Sequence, residues 1–311
     1  NDTVMNLGAI DASASGSAAT NEGNIGVTAG STGIEGGEGD DTISNSGTME
    51  TSSNAEATLG SGTINALGDS SVAAGTNATA ETAGISGGTG SDAITNTDTI
   101  TATATAEVNA ETFELNLLDT ASADAGVAAE ATAVGIAGDD SDGNDLVSFD
   151  TIINSGTITA DASAQADSSG FRFQAVDWAV ALATSSAESA AIGIKGGPGS
   201  TGIENSGNIL CTAAAQSDLW TVELNLSDWG LASSGLTLES KATGIEGGDR
   251  GDEITNSGSI TVSATSEGDR VSVNFTLLDL TVGQGAYNEL LGNSVASADT
   301  LSEASATGIE G

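Results

Sequence analysis

Hydrophobic and polar positions alternate with period two along most of this chain. TITATATAEV (99–108), AAEATAVGI (128–136) and SITVSATS (259–266) each put every second residue on one face. That alternation predicts β-strands with one buried face, and no segment shows a convincing helical period. Small residues, Ala above all, fill the apolar places, with Ile at fixed points. One pair of such strands buries little, so stability must come from repetition.

The pattern does repeat on a longer scale. Gly-Ile recurs at Gly33, Gly84, Gly135, Gly193, Gly244 and Gly308, at spacings of 51, 51, 58, 51 and 64 residues. A second shared string follows the first five: ISNSGTM (43–49), ITNTDTI (94–100), IINSGTI (152–158), IENSGNI (203–209) and ITNSGSI (254–260). VMNLGAI (4–10) is the same string in an earlier unit. A fixed period of this kind is the mark of a stacked repeat architecture. Each unit reads as a glycine-rich turn, an NSG turn whose Asn and Gly tolerate positive φ, an alternating strand, a variable middle and a second alternating strand.

Coils stacked about 4.8 Å apart turn these strings into columns. Val4, Ile43, Ile94, Ile152, Ile203 and Ile254 form one, and Ile10, Met49, Ile100, Ile158, Ile209 and Ile260 another. Between them Asn6, Asn45, Asn96, Asn154, Asn205 and Asn256 are placed to pair amides up the stack. The expected fold is therefore an all-β parallel β-solenoid, or β-helix, of about six units of roughly 51 residues. Each unit is expected to make one large flattened coil, with units beginning near Asn1, Gly33, Gly84, Gly135, Gly193 and Gly244. The chain opens in mid-pattern and is expected to be one continuous segment (1–311) of a longer repeat protein.

Charge narrows the partners. The net charge is −39, with five basic residues against 44 acidic ones. Nucleic acid and anionic lipid are excluded as expected partners, because both need clustered Lys or Arg. No apolar run is long enough for membrane insertion as a helix. Cys211 is the only cysteine and falls two residues after an inward Ile209, where it reads as a small buried apolar residue.

Aromatics make up only 3% of the chain and gather in the variable middle. Phe113, Phe171, Phe173, Trp178, Trp220, Trp229, Phe275 and Tyr287 all lie there, as the middles lengthen along the chain. They either fill the widening end as a minicore or present a binding face for a subunit or a sugar.

The glycine turns carry the best chemistry. GGEGDDTIS (36–44) and GGTGSDAIT (87–95) set Gly36, Gly37, Gly39, Asp40 and Asp41 against Gly87, Gly88, Gly90 and Asp92. DSDGNDLVS (140–148) offers Asp140, Asp142 and Asp145, and GGDRGDEIT (247–255) keeps Asp252 but puts Arg250 at the third glycine. GGPGSTGIE (196–204) has Thr201 in place of the aspartate. Calcium takes six to eight hard oxygens, which turn carbonyls and Asp carboxylates supply. Stacked turns would bring Asp41, Asp92, Asp145 and Asp252 along one edge, where like charges repel unless a cation intervenes. A purely structural glycine turn is the alternative.

These turns resemble the calcium-binding nonapeptide of the RTX-type β-roll, G-G-x-G-x-D-x-U-x. The NSGTI-type strings are similar to the passenger β-helices of bacterial autotransporters and filamentous-haemagglutinin-like adhesins. The resemblance implies bound Ca2+, export to the cell surface, and a structural role in adhesion or in a filament. Expected partners are then further copies of itself, stacked end to end or continuing in one chain, or a glycan or surface receptor. An enzyme is less well supported. Polysaccharide-degrading β-helices commonly pair carboxylates with Arg, Lys or His, whereas this chain has no His and scattered basic residues. Asp139, Asp140 and Asp142 read better as an acidic loop than as an acid–base pair.

Overall fold

The computed structural model describes the chain from 1 to 311 except residues 22, 66–69, 117–120, 140–147, 175–178, 226–228, 249, 277–292 and 311. Each unit winds once round and contributes three strands. The first coil holds β1 (Thr3–Asn6), β2 (Ile10–Thr20) and β3 (Ile25–Glu35). The second holds β4 (Thr42–Asn45), β5 (Met49–Asn65) and β6 (Ser70–Ser86). The third holds β7 (Ala93–Asn96), β8 (Thr99–Asn116) and β9 (Ala121–Ala137). The fourth holds β10 (Phe149–Asn154), β11 (Thr157–Gln174) and β12 (Ala179–Lys195). The fifth holds β13 (Ser200–Asn205), β14 (Asn208–Asn225) and β15 (Trp229–Glu246). The sixth holds β16 (Glu253–Asn256), β17 (Ser259–Thr276) and β18 (Asn293–Glu310).

Strands of the same rank stack in parallel, giving three six-stranded sheets. The short strands β1, β4, β7, β10, β13 and β16 make the first sheet. The first long strands, β2 to β17, make the second, and β3 to β18 the third. The molecule is a parallel β-helix with one coil per repeat. Two strands per unit were expected from the alternation. The third is the I-x-N string itself, too short to show a period but paired along its whole length.

The predicted columns are in register. Ile43, Ile94, Ile152, Ile203 and Ile254 pair in sequence with Val4 at the first coil. Ile10, Met49, Ile100, Ile158, Ile209 and Ile260 do the same in the second sheet. The second and third sheets face each other across alanine: Ala102, Ala104 and Ala106 are buried opposite Ala129, Ala131 and Ala133. Gly-Ile recurs because the Ile column presses on the third sheet's backbone. A Cβ at Gly135 would overlap the Ile158 methyl, and one at Gly193 the Ile209 methyl.

The asparagine column is a continuous amide ladder. The Nδ2 of Asn6, Asn45, Asn96, Asn154 and Asn205 each donates to the Oδ1 of the next Asn, at 2.7–2.8 Å. Asn suits this place because it carries both donor and acceptor. The NSG glycine has a different reason from the one expected. Gly47, Gly156, Gly207 and Gly258 are not among the positive-φ glycines. They are small because the neighbouring coil's backbone lies where a Cβ would go. The third coil, with Asp98 there, is the exception, and the Asp98 carboxylate takes the Thr99 N–H.

The described second-sheet strands lengthen early and then hold. The second-sheet strands grow from 11 residues in β2 to 17 in β5 and 18 in β8, and stay at 18 to β17.

An interior break in the amide ladder should be far worse than one at its end. Asn154→Ala removes two buried amide bonds and is expected to lower stability by about 2 kcal/mol, whereas exposed Asn256→Ala should lose under about 1. Urea denaturation of both variants checks this; equal losses would show that the ladder contributes nothing beyond its own residues.

Candidate functional site

The glycine turns join the third sheet to the short strands. Their backbones need positive φ: Gly37 94°, Gly39 106°, Gly88 96°, Gly90 129°, Gly197 112° and Gly248 122°. Adjacent turns are tied by Gly39 N–H to Thr89 O (2.7 Å) and Thr89 N–H to Gly37 O (2.8 Å). Gly36 and Gly87 stand directly against carboxylates: a Cβ there would meet Asp41 Oδ2 and Asp92 Oδ2 respectively.

Asp41 and Asp92 stand in one inward-facing column, each one residue before the paired Thr42 and Ala93, and Asp252 joins it one residue before Glu253, the partner of Gly202. The fourth coil differs from expectation. Asp140, Asp142 and Asp145 lie outside the described residues, and the column place is held by Asp150, which registers with Thr201. The longer turn of this unit lies wholly between Gly138 and β10. Register is therefore set by counting back from Ile152, not forward from the glycines. Asp150 was the signal missed, two residues before an Ile of the column just as Asp41 and Asp92 are.

Where the column holds an aspartate, one carboxylate oxygen accepts a backbone N–H from the preceding coil. Asp41 N–H donates to Asp92 Oδ1 (2.8 Å), Asp92 N–H to Asp150 Oδ1 (3.0 Å) and Thr201 N–H to Asp252 Oδ1 (2.8 Å). The other oxygen does not: Oδ2 of Asp41, Asp92 and Asp252 is buried without a hydrogen-bond partner, as is Thr201 Oγ1. Asp41 and Asp92 are each 2% exposed. Asp40 points the opposite way, into solvent, and accepts the Ser91 N–H at 3.0 Å. Burial raises the Asp92 carboxyl above the ordinary carboxylate value of 3.8, and the negative charges of Asp41, Asp139 and Asp40 push the same way; the Asp41 N–H acts against them. Among the described residues no three carboxylates cluster round one point in a way that could hold a metal. The carboxylates form a line instead.

The aromatic residues do not form a minicore where they are described. Phe113 and Phe171 are 42% exposed and Trp220 is 55% exposed, all on the outer face of the second sheet. The two phenyl rings stack at 5.5 Å and 6° between planes. Phe173 is half-buried on the same face. Trp178 and Tyr287 lie outside the described residues, as do the side chains of Trp229 and Phe275. What takes the inner position is an ion pair, Arg172 Nε to Glu114 Oε2 at 3.5 Å, both groups 2% exposed. Parity would have shown it: Ile100 faces in, so Glu114 does and Phe113 does not.

Cys211 is fully buried, and burial pushes its thiol up to about 12. It is a packing residue, not a nucleophile. No helix among the described residues is long and apolar enough to cross a membrane.

Comparison with protein-family models, with curated proteins and with solved structures finds no match to this chain.

A carboxyl whose folded value is raised contributes stability that is complete below its unfolded value, near 3.8, and lost as pH rises through the folded value. Asp92→Asn keeps the Oδ1 acceptor and removes that loss. In chelator-treated protein the variant should melt above wild type at about pH 7, with the gap closing towards about pH 4. Thermal melts across that range check it; a gap independent of pH would mean that the Asp92 charge is not the cause.

Proposed function

We propose that this protein is a non-catalytic structural solenoid, a segment or subunit of an extracellular bacterial filament or adhesin, with its acidic turns bridged by calcium. The observation that carries the reading is the column of Asp41, Asp92 and Asp252, whose second carboxylate oxygens are buried and unpartnered. An acceptor-only oxygen of that kind calls for a proton or a cation. A position needing only one acceptor would be served by Asn, as the neighbouring column is.

An oxygen-loving divalent ion would bridge carboxylates in line rather than sit in a cluster of three, which the described residues do not form. Asp41 and Asp92, with carbonyls of the turn glycines, would hold it, and Thr201 makes the fourth and fifth coils the poorest place. Bound calcium would cancel the like charge that stacking imposes on the column and so lock the coils together.

The mechanical part of the reading rests on the sheets. β1, β2 and β3 form one outer edge, and β16, β17 and β18 the other. The Ile and Asn columns run through to both edges, so either edge offers the same register to a further coil. Open strand edges are templates for pairing. A further coil from the same chain or from a second copy would extend every column without a change of register, which is what a fibre requires.

Calcium and electron microscopy test the reading together. Millimolar calcium, but not magnesium, should raise the melting temperature, with most of the rise lost in Asp92→Asn. Micrographs with calcium should show unbranched rods about one coil wide. No calcium-specific shift would end the metal part; compact monomers alone at high concentration would end the filament part.

A further inference from the structure

The outer face of the second sheet carries a groove that the turns do not explain. It has a volume of about 380 Å³ and runs between two neighbouring outward columns. One column is Gly60, Glu111, Ser169 and Trp220; the other is Gly62, Phe113, Phe171 and Val222. The floor is backbone of the intervening residues, so the groove follows the solenoid axis from the second coil to the fifth. Three coil spacings make it about 15 Å long, room for about four residues of extended chain. Its open end is at the glycines, because Gly62 leaves one face of the Phe113 ring uncovered.

The wall chemistry selects the occupant. Aromatic rings offer Phe113, Phe171 and Trp220 to apolar or cationic groups. Glu111 is the charged residue of the groove. Beside it lies a second groove of about 470 Å³, lined by Gln165, Asp167, Gln216, Asp218, Glu267 and Asp269 among others. Asp218 and Asp269 stack in register, and the Asp218 N–H donates to Asp167 Oδ1 at 2.9 Å. None of these carboxylates takes part in an ion pair among the described residues. Aromatic and acidic columns thus lie side by side on one face.

We propose that this composite face binds an extended, lysine- or arginine-bearing segment of a partner protein. Apolar side chains enter the aromatic groove, and long cationic side chains cross Trp220 with their stems and end on the acidic columns. A second copy of this chain fits this face poorly, since only five of its 311 residues are basic and the face calls for a lysine- or arginine-bearing segment. The inference rests on the second sheet alone, so failure of the calcium or filament reading leaves it standing.

The probe is a labelled peptide of about ten residues alternating lysine and leucine, titrated by fluorescence anisotropy at about 0.15 M salt, where distant charges are screened. Lysine–serine and glutamate–leucine peptides are the controls. Trp220→Ala removes one wall. Gly62→Phe blocks the open end without disturbing the fold, because a Cβ there meets only the Phe113 carbonyl oxygen at 4.0 Å and the backbone φ is not positive. Each variant should weaken the lysine–leucine peptide about tenfold, the effect of losing an interface hot spot, while Glu111→Gln weakens it less. Equal affinity for the lysine–serine peptide would reduce the effect to bulk charge and overturn the proposal. So would affinity unmoved by both Trp220→Ala and Gly62→Phe, or groove binding confined to neutral oligosaccharides.

Discussion

Every residue in this fold sits one coil below its own counterpart, and that register constraint decides what each position can be. Strand pairing at about 4.8 Å forces side chains of the same rank into direct contact, for all six coils at once. A residue type suits a column only if it suits itself. Isoleucine packs on isoleucine. Asparagine donates to and accepts from asparagine, so its ladder closes with no polar atom stranded. Phenyl stacks on phenyl, as Phe113 and Phe171 do.

Carboxylates fail that test, and the chain is rich in them. The exposed third-sheet column of Glu130, Glu188, Glu239 and Glu303 shows the consequence in the open. Glu188 has its carboxyl raised by partial burial and then by the charges of Glu130 and Glu239 on either side. Solvent relieves an outer column of this kind, through water and screening ions. The inner aspartate column has no such relief, which is why its unpartnered oxygens carry more meaning than any number of surface acids.

The same constraint explains what could be read from the sequence. The Ile and Asn columns were legible because a column of identical residues is visible as a period in one dimension. The fold class followed from them. Asp150 was not legible from the turn motif, since the motif had been stretched and only the strand register, counted from Ile152, locates it. Of the two readings of the aromatic residues, the minicore fails for another reason. Bulk in a thin, alanine-lined coil suggests filling, yet the parity fixed at Ile100 carries unbroken through an 18-residue strand and sends Phe113 outward. A hydrophobic residue type is a weaker guide than the pleat that holds it.

Parity also exposes a contrast between two charged inner columns. At the wide end Glu114 and Arg172 occupy successive coils. There the chain sets its own cation next to a buried carboxylate, and Arg172 and Glu114 face each other as opposite charges at 3.5 Å. In the glycine turns the terminal amine of Asn1 lies 3.7 Å from Asp41 Oδ1. No lysine or arginine pairs with Asp41 or Asp92 among the described residues, although the register that brings them together is just as strict. A chain with five basic residues and 44 acidic ones has placed one of the five inside its core. At Asp92, burial and the charges of Asp41, Asp139 and Asp40 raise the carboxyl, so the coil stack at this column would tighten or loosen with pH.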